Sequence, residues 1–258
     1  MSNRIESLFS SKQNNILSVY FTAGYPSLND TISIIQTLEK SGVDLIEIGM
    51  PFSDPLADGP VIQESSMTAI NNGMTIHVLF EQLKEIRNSV KIPLVLMGYI
   101  NPVMQYGMEE FAIKASQIGI DGVIIPDLPL AEYMSDYKTI FFKNNLKNIF
   151  LITPQTSEER IRLIDNSTDG FIYMVSSASI TGSKEGISDS QLIYFDRIRN
   201  MNLKNARLIG FGISNHESFA SACQYANGAI IGTAFIKAIT GSNDVSKSTE
   251  EFVKKIKG

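Results

Sequence analysis

The chain has 258 residues, 43% of them hydrophobic and 19% charged, which suits one large α/β unit with a sizeable core. Its 22 Lys+Arg against 27 Asp+Glu leave a formal charge of −5. With no basic block beyond a short C-terminal lysine cluster, nucleic acid and anionic membranes are excluded as natural partners. One cysteine, Cys223, and two histidines, His77 and His216, leave no internal disulfide, no thiolate zinc site and no multi-histidine metal centre. The N-terminal stretch is polar and no run approaches the roughly 20 apolar residues of a membrane span, so the chain reads as cytoplasmic.

Short apolar runs predict strands at Ile16–Thr22, Asp44–Met50, Pro93–Met97, Gly119–Ile125, Asn148–Thr153, Gly170–Val175, Ala206–Phe211 and Gly228–Gly232. Most are separated by stretches with helical spacing. In Asp30–Ser41, for instance, Ile34, Ile35 and Leu38 form an apolar stripe while Asp30, Gln36 and Lys40 face out. Near-continuous Val/Ile/Leu strands alternating with amphipathic helices imply a parallel sheet covered by helices. Eight such units in this length predict a single (β/α)8 barrel domain over residues 1–258, with a doubly wound open sheet as the alternative. In a barrel, the chemistry belongs at the C-terminal ends of the strands.

The second predicted strand, Asp44-Leu45-Ile46-Glu47-Ile48-Gly49-Met50, runs into Pro51-Phe52-Ser53-Asp54-Pro55-Leu56-Ala57-Asp58-Gly59-Pro60. Alternation sends Ile46, Ile48 and Met50 outward and Leu45, Glu47 and Gly49 inward. A carboxyl near the barrel mouth loses water, its pKa rises, and it becomes able to give and take a proton at neutral pH. The competing reading of Glu47 is a buried glutamate held by a backbone amide or a lysine. Asp58 lies in a loop stiffened by Pro51, Pro55 and Pro60, which suits either a carboxylate aimed at a ligand or one satisfying turn amides. The same two readings apply to Asp54 and to Asp127.

Glycine-bearing turns follow the last three strands at Ile180-Thr181-Gly182-Ser183, Gly210-Phe211-Gly212-Ile213-Ser214 and Gly232-Thr233-Ala234-Phe235. Ser214 with Glu217 has the form of a capping box. Bare amides after strands seven and eight of a barrel suit a phosphorylated ligand. Around the same mouth, Tyr20 and Thr22 on strand one and Phe171 and Tyr173 on strand six fit either core packing or a flat apolar ligand. The segment from Ser176 to Ile187 reads as a closing loop or as variable surface. No lysine stands at a strand end for Schiff-base chemistry, and no GxGxxG follows the first strand.

The motifs Tyr20-Phe21-Thr22-Ala23-Gly24-Tyr25-Pro26, Glu47 through Pro60 with Ile62-Gln63, Asn101-Pro102, Pro126-Asp127-Leu128-Pro129 and Gly210 through Ser214 closely resemble the tryptophan synthase alpha chain family, over essentially the whole chain. The resemblance implies a (β/α)8 barrel that cleaves indole-3-glycerol phosphate to indole and glyceraldehyde 3-phosphate, as a lyase of tryptophan biosynthesis. It implies an alpha2beta2 complex in which indole passes to a beta chain that carries pyridoxal phosphate, with no cofactor or metal in the alpha chain itself. Carried over by motif, Glu47 is the acid–base residue and Asp58 the carboxylate that accepts the indole N–H. Tyr20, Tyr173 and Phe211 line the indole pocket, and Thr181 lies in the closing loop. Gly182, Gly212, Gly232 and Thr233 form the phosphate turns, while Asp54, Asn101 and Pro129 face the beta chain. The sequence departs from the family at Ser177, where arginine is common, and at Ser179, where many members have glycine; serine at a position of positive φ carries a conformational cost. Two other functions compatible with parts of the sequence are a silent alpha chain that only activates its partner and a different phosphate-binding barrel.

Overall fold

Strands rich in β-branched and aromatic residues pair in parallel and close into a barrel in the order β1-β2-β3-β4-β5-β6-β7-β8. The computed structural model describes residues 3–56, 58–176, 188–210 and 212–258. The strands are β1 (Ile16–Thr22), β2 (Leu45–Gly49), β3 (Leu94–Met97), β4 (Gly122–Ile124), β5 (Lys147–Ile152), β6 (Phe171–Val175), β7 (Ala206–Gly210) and β8 (Gly228–Ile231). Helices on the outside cover them, which is why β1 and β2 are buried along their whole lengths, on both faces. The last helix, Val245–Lys257, closes the outer ring by packing on the helix Asp30–Lys40.

The strand and helix boundaries follow local chemistry. Ser188 and Gln191 cap the helix Asp189–Asn200 reciprocally, and Ser157 caps Glu158–Ser167. The expected box at Ser214 and Glu217 forms one residue later: Asn215 caps the helix His216–Ala222, with Ser218 as its reciprocal partner. Asparagine competes well for that position, and the Ser218 hydroxyl accepts from the amides of both Ser214 and Asn215. Strand β4 is shorter than its apolar run, because Ile118 and Gly119 complete the C-terminal turn of the helix Met108–Gln117 before the chain enters the sheet.

At the N-terminal end of the barrel, Asp121 is only 3% exposed. It accepts from Arg87 Nη2 at 2.6 Å, from Arg4 Nη1 at 3.0 Å and from the Leu94 amide at 3.0 Å. Burial pulls the Arg87 guanidinium down to about 10, while Asp121 beside it favours the charged form. The end opposite the site is thereby tied together by three segments distant in sequence. Asp121→Ala strands a mostly buried guanidinium, and the loss expected for breaking such a pair is about 3 kcal/mol. The urea unfolding midpoint should fall accordingly; a loss below about 1 kcal/mol would mean that water replaces the pair at no cost.

Candidate active site

In β1 and β2 the register sets Tyr20 beside Glu47 and Thr22 beside Gly49, so the polar residues of the two strands share one face. Glu47 has no exposed surface. Its Oε1 accepts a hydrogen bond from Ser18 Oγ at 2.8 Å, and its Oε2 has no hydrogen-bond partner among the described residues. Burial raises this carboxyl to about 8, with the Ser18 hydrogen bond pulling the other way. The group that holds it is therefore a serine hydroxyl, not the backbone amide or lysine of the competing sequence reading. A carboxyl in this state keeps its proton at neutral pH and releases it within reach of physiological conditions.

Asp58 is half-buried in the proline-stiffened loop after β2. Its amide donates to the Pro55 carbonyl at 3.0 Å and its own carbonyl accepts from Gln63 Nε2 at 2.9 Å, which fixes the backbone ahead of the helix Pro60–Asn71. Among the described residues, no turn amide donates to the side chain. Oδ2 accepts from Tyr99 Oη at 3.0 Å. Burial raises the Asp58 carboxyl while the Tyr99 hydrogen bond favours its charged form.

The two tyrosines complete the cluster. Burial pushes both the Tyr20 and Tyr173 phenols up, and the charges of Asp58 and Glu47 push them further, so both remain neutral. Glycines give the rings their room: a Cβ built at Gly49 would overlap the Tyr20 hydroxyl, and one at Gly210 would overlap that of Tyr173. A narrow cleft opens beside the cluster, walled by Tyr20, Met50, Phe52, Asp58, Met97 and Tyr99 among others. The Phe52 and Tyr99 rings lie 5.2 Å apart across its wall. Among the described residues, Asp58 is the one carboxylate in this otherwise largely apolar wall.

Elsewhere at this end, Gly232 and Thr233 follow β8 and begin the helix Thr233–Ile239, and Gly212 follows β7 with its backbone exposed. Asp54, Asn101 and Pro129 are all exposed; the Asp54 carboxylate accepts from Ser53 Oγ at 3.3 Å and its carbonyl from the Leu56 amide at 2.9 Å. Asp127 takes the structural alternative, accepting from the Ile100 amide at 2.9 Å at the start of the helix Ile100–Tyr106. Thr22 bonds Ser65 at 2.7 Å. Thr181, Gly182 and Phe211, with Ser177 and Ser179, lie outside the described residues. Sequence reasoning missed Ser18 and Tyr99, the hydrogen-bond partners of the two carboxyls. The alternation that turns Tyr20 inward also selects Ser18, and Tyr99 stands two residues past the end of β3.

A closed parallel barrel with a buried carboxyl, raised by burial, and a second carboxyl in the loop after the same strand has the layout of a barrel enzyme, with its polar cluster at the C-terminal ends of the strands. The comparisons narrow this. The family model described as tryptophan synthase alpha chain matches residues 7–257. The tryptophan synthase alpha chain of Flavobacterium johnsoniae is 62% identical over 246 residues, 95% of this chain and 96% of that one. That of Parabacteroides distasonis is 53% identical over 255 residues, 99% of each. The crystal structure of tryptophan synthase subunit alpha from Legionella pneumophila superposes with a TM-score of 0.90 at 31% identity, covering 100% of this chain and 98% of the other. The chain belongs to the tryptophan synthase alpha chain family, and its activity is that of a lyase of tryptophan biosynthesis acting on indole-3-glycerol phosphate.

Proposed function

We propose that Glu47 carries the proton in the cleavage of indole-3-glycerol phosphate and that Asp58 holds the indole N–H. One observation carries this reading: a fully buried carboxyl, raised to about 8 by burial, has one oxygen held by Ser18 and the other without a partner among the described residues, beside a cleft that presents a second carboxylate. Glu47 gives its proton to C3 of the indole. The resulting indoleninium spreads positive charge to N1, where Asp58 stabilises it electrostatically. The bond between C3 and the glycerol carbon then breaks, its electron pair restoring the aromatic ring. The glycerol hydroxyl becomes an aldehyde as its proton passes back to Glu47, so indole and glyceraldehyde 3-phosphate leave with the acid regenerated. Because Glu47 has no exposed surface, a side chain at the mouth must move aside to admit C3.

Tyr20, Tyr173 and Phe211 enclose the ring in this reading, with Thr181 in the loop that closes over it. Gly212, Gly232, Thr233 and Gly182 receive the phosphate at the ends of the last strands. The chain works as a single-domain, cytoplasmic alpha subunit in an alpha2beta2 complex and holds no cofactor of its own; pyridoxal phosphate belongs to the beta chain. Asp54, Asn101 and Pro129 face that partner, supported by the apolar side chains exposed beside them, Leu56 at 84% and Met104 at 57%. Among the described residues no helix is long and apolar enough to cross a membrane.

The test is indole release from indole-3-glycerol phosphate, by the chain alone and with a tryptophan synthase beta chain. Turnover is expected in both and faster in the complex. Glu47 must begin protonated, so the rate should fall as pH rises through about 8. Absence of indole in both arms, or a rate flat from pH 7 to pH 9, contradicts the reading.

A further inference from the structure

We propose that Ser18 is a positioning residue for the reaction: by donating to Glu47 Oε1 it fixes the carboxyl plane and leaves Oε2 as the oxygen that exchanges the proton with substrate. The inference rests on the role given to Glu47 above. Ser18 is the third residue of a strand that is otherwise apolar up to Tyr20, and it has no exposed surface. A hydroxyl buried so completely is costly unless bonded, and its bond runs to a side chain on the neighbouring strand, Glu47, at 2.8 Å.

The register gives that bond a direction. Tyr20 is level with Glu47, whereas Ser18 is level with Leu45, two residues nearer the N-terminal end of the barrel. Ser18 therefore meets the carboxyl from the barrel floor, opposite to the side on which substrate arrives. Held there, Oε1 is an acceptor both before and after proton transfer. The transferable proton is confined to Oε2, and the carboxyl cannot rotate between the protonation of C3 and the removal of the hydroxyl proton.

The hydrogen bond also favours the charged form of Glu47, against the larger effect of burial. Among the described residues, the other titratable groups that feel the charge of Glu47 are Tyr20 on β1 and Tyr173 on β6. Both tyrosines are pushed out of the working range, and burial raises Asp58 as well, so the alkaline limb is assigned by comparing Ser18→Ala with Ser18→Thr, because the Ser18 hydroxyl bonds Glu47.

The experiment compares kcat and KM for indole release between pH 6 and 10 in the parent, Ser18→Ala, Ser18→Thr and Glu47→Gln, using the full chain with a beta chain present. Loss of a hydrogen bond to a charged group moves a titration by about one pH unit. Ser18→Ala should shift the alkaline limb upward by about that amount and lower kcat about tenfold, with KM nearly unchanged. Ser18→Thr, which keeps the hydroxyl, should restore the limb. A Ser18→Ala profile with its limb unmoved, whatever its kcat, overturns the role of Ser18 while an inactive Glu47→Gln leaves that of Glu47 standing. Parent-like turnover and pH dependence in Glu47→Gln removes both.

Discussion

Glu47→Gln is expected to lower indole release by about ten-thousandfold, the upper range for a single acid–base group, because the same carboxyl serves both proton transfers. Glutamine keeps the size of the side chain and the acceptor oxygen for Ser18, so the fold and the binding of indole-3-glycerol phosphate should survive. Stability provides the control. A carboxyl that titrates at 4.5 in the unfolded chain and at about 8 in the folded one binds an extra proton on folding. Its contribution to stability is fully present below about 4.5, declines as pH rises and is lost through about 8. The glutamine variant lacks this dependence. Its melting temperature should vary less than the parent's between those values, while circular dichroism at pH 6 is unchanged. Turnover within tenfold of the parent contradicts the assignment of Glu47.

Asp58→Asn is expected to cost at least about a hundredfold in kcat, the loss seen when one group that stabilises transition-state charge is removed. The amide still accepts from Tyr99 and fits the same loop, so the change isolates the negative charge. The effect should fall on kcat more than on KM, since positive charge at N1 exists only after C3 is protonated. A change below tenfold would give Asp58 the structural role that the turn around it also fits. That role would rest on the bond to Tyr99 and would appear instead as a loss of stability.

The barrel was legible because most strand positions are buried on both faces and read as near-continuous apolar runs; β1 begins and ends where its run does. Boundaries slipped where a helix end and a strand compete for the same apolar residues, as at Ile118 and Gly119. Glu47 stood out as a charge in an apolar strand, and alternation gave its direction. Its partner Ser18 did not, since a lone serine in a strand is unremarkable until the register with β2 is known. Tyr99 was hidden for a related reason: its link to Asp58 joins residues 41 apart in sequence. The Arg4–Arg87–Asp121 cluster spans 117 positions, and no local pattern encodes it.

The central claim is that Glu47 holds a proton at neutral pH because the barrel keeps water from it. The most direct measurement is the titration of its own carboxyl carbon by 13C NMR in selectively labelled protein without ligand, with the Glu47→Gln spectrum identifying the resonance. The expected result is a carboxyl protonated at pH 6 that titrates near 8. A resonance already ionised at pH 6, with its midpoint near the ordinary 4.5, contradicts the account.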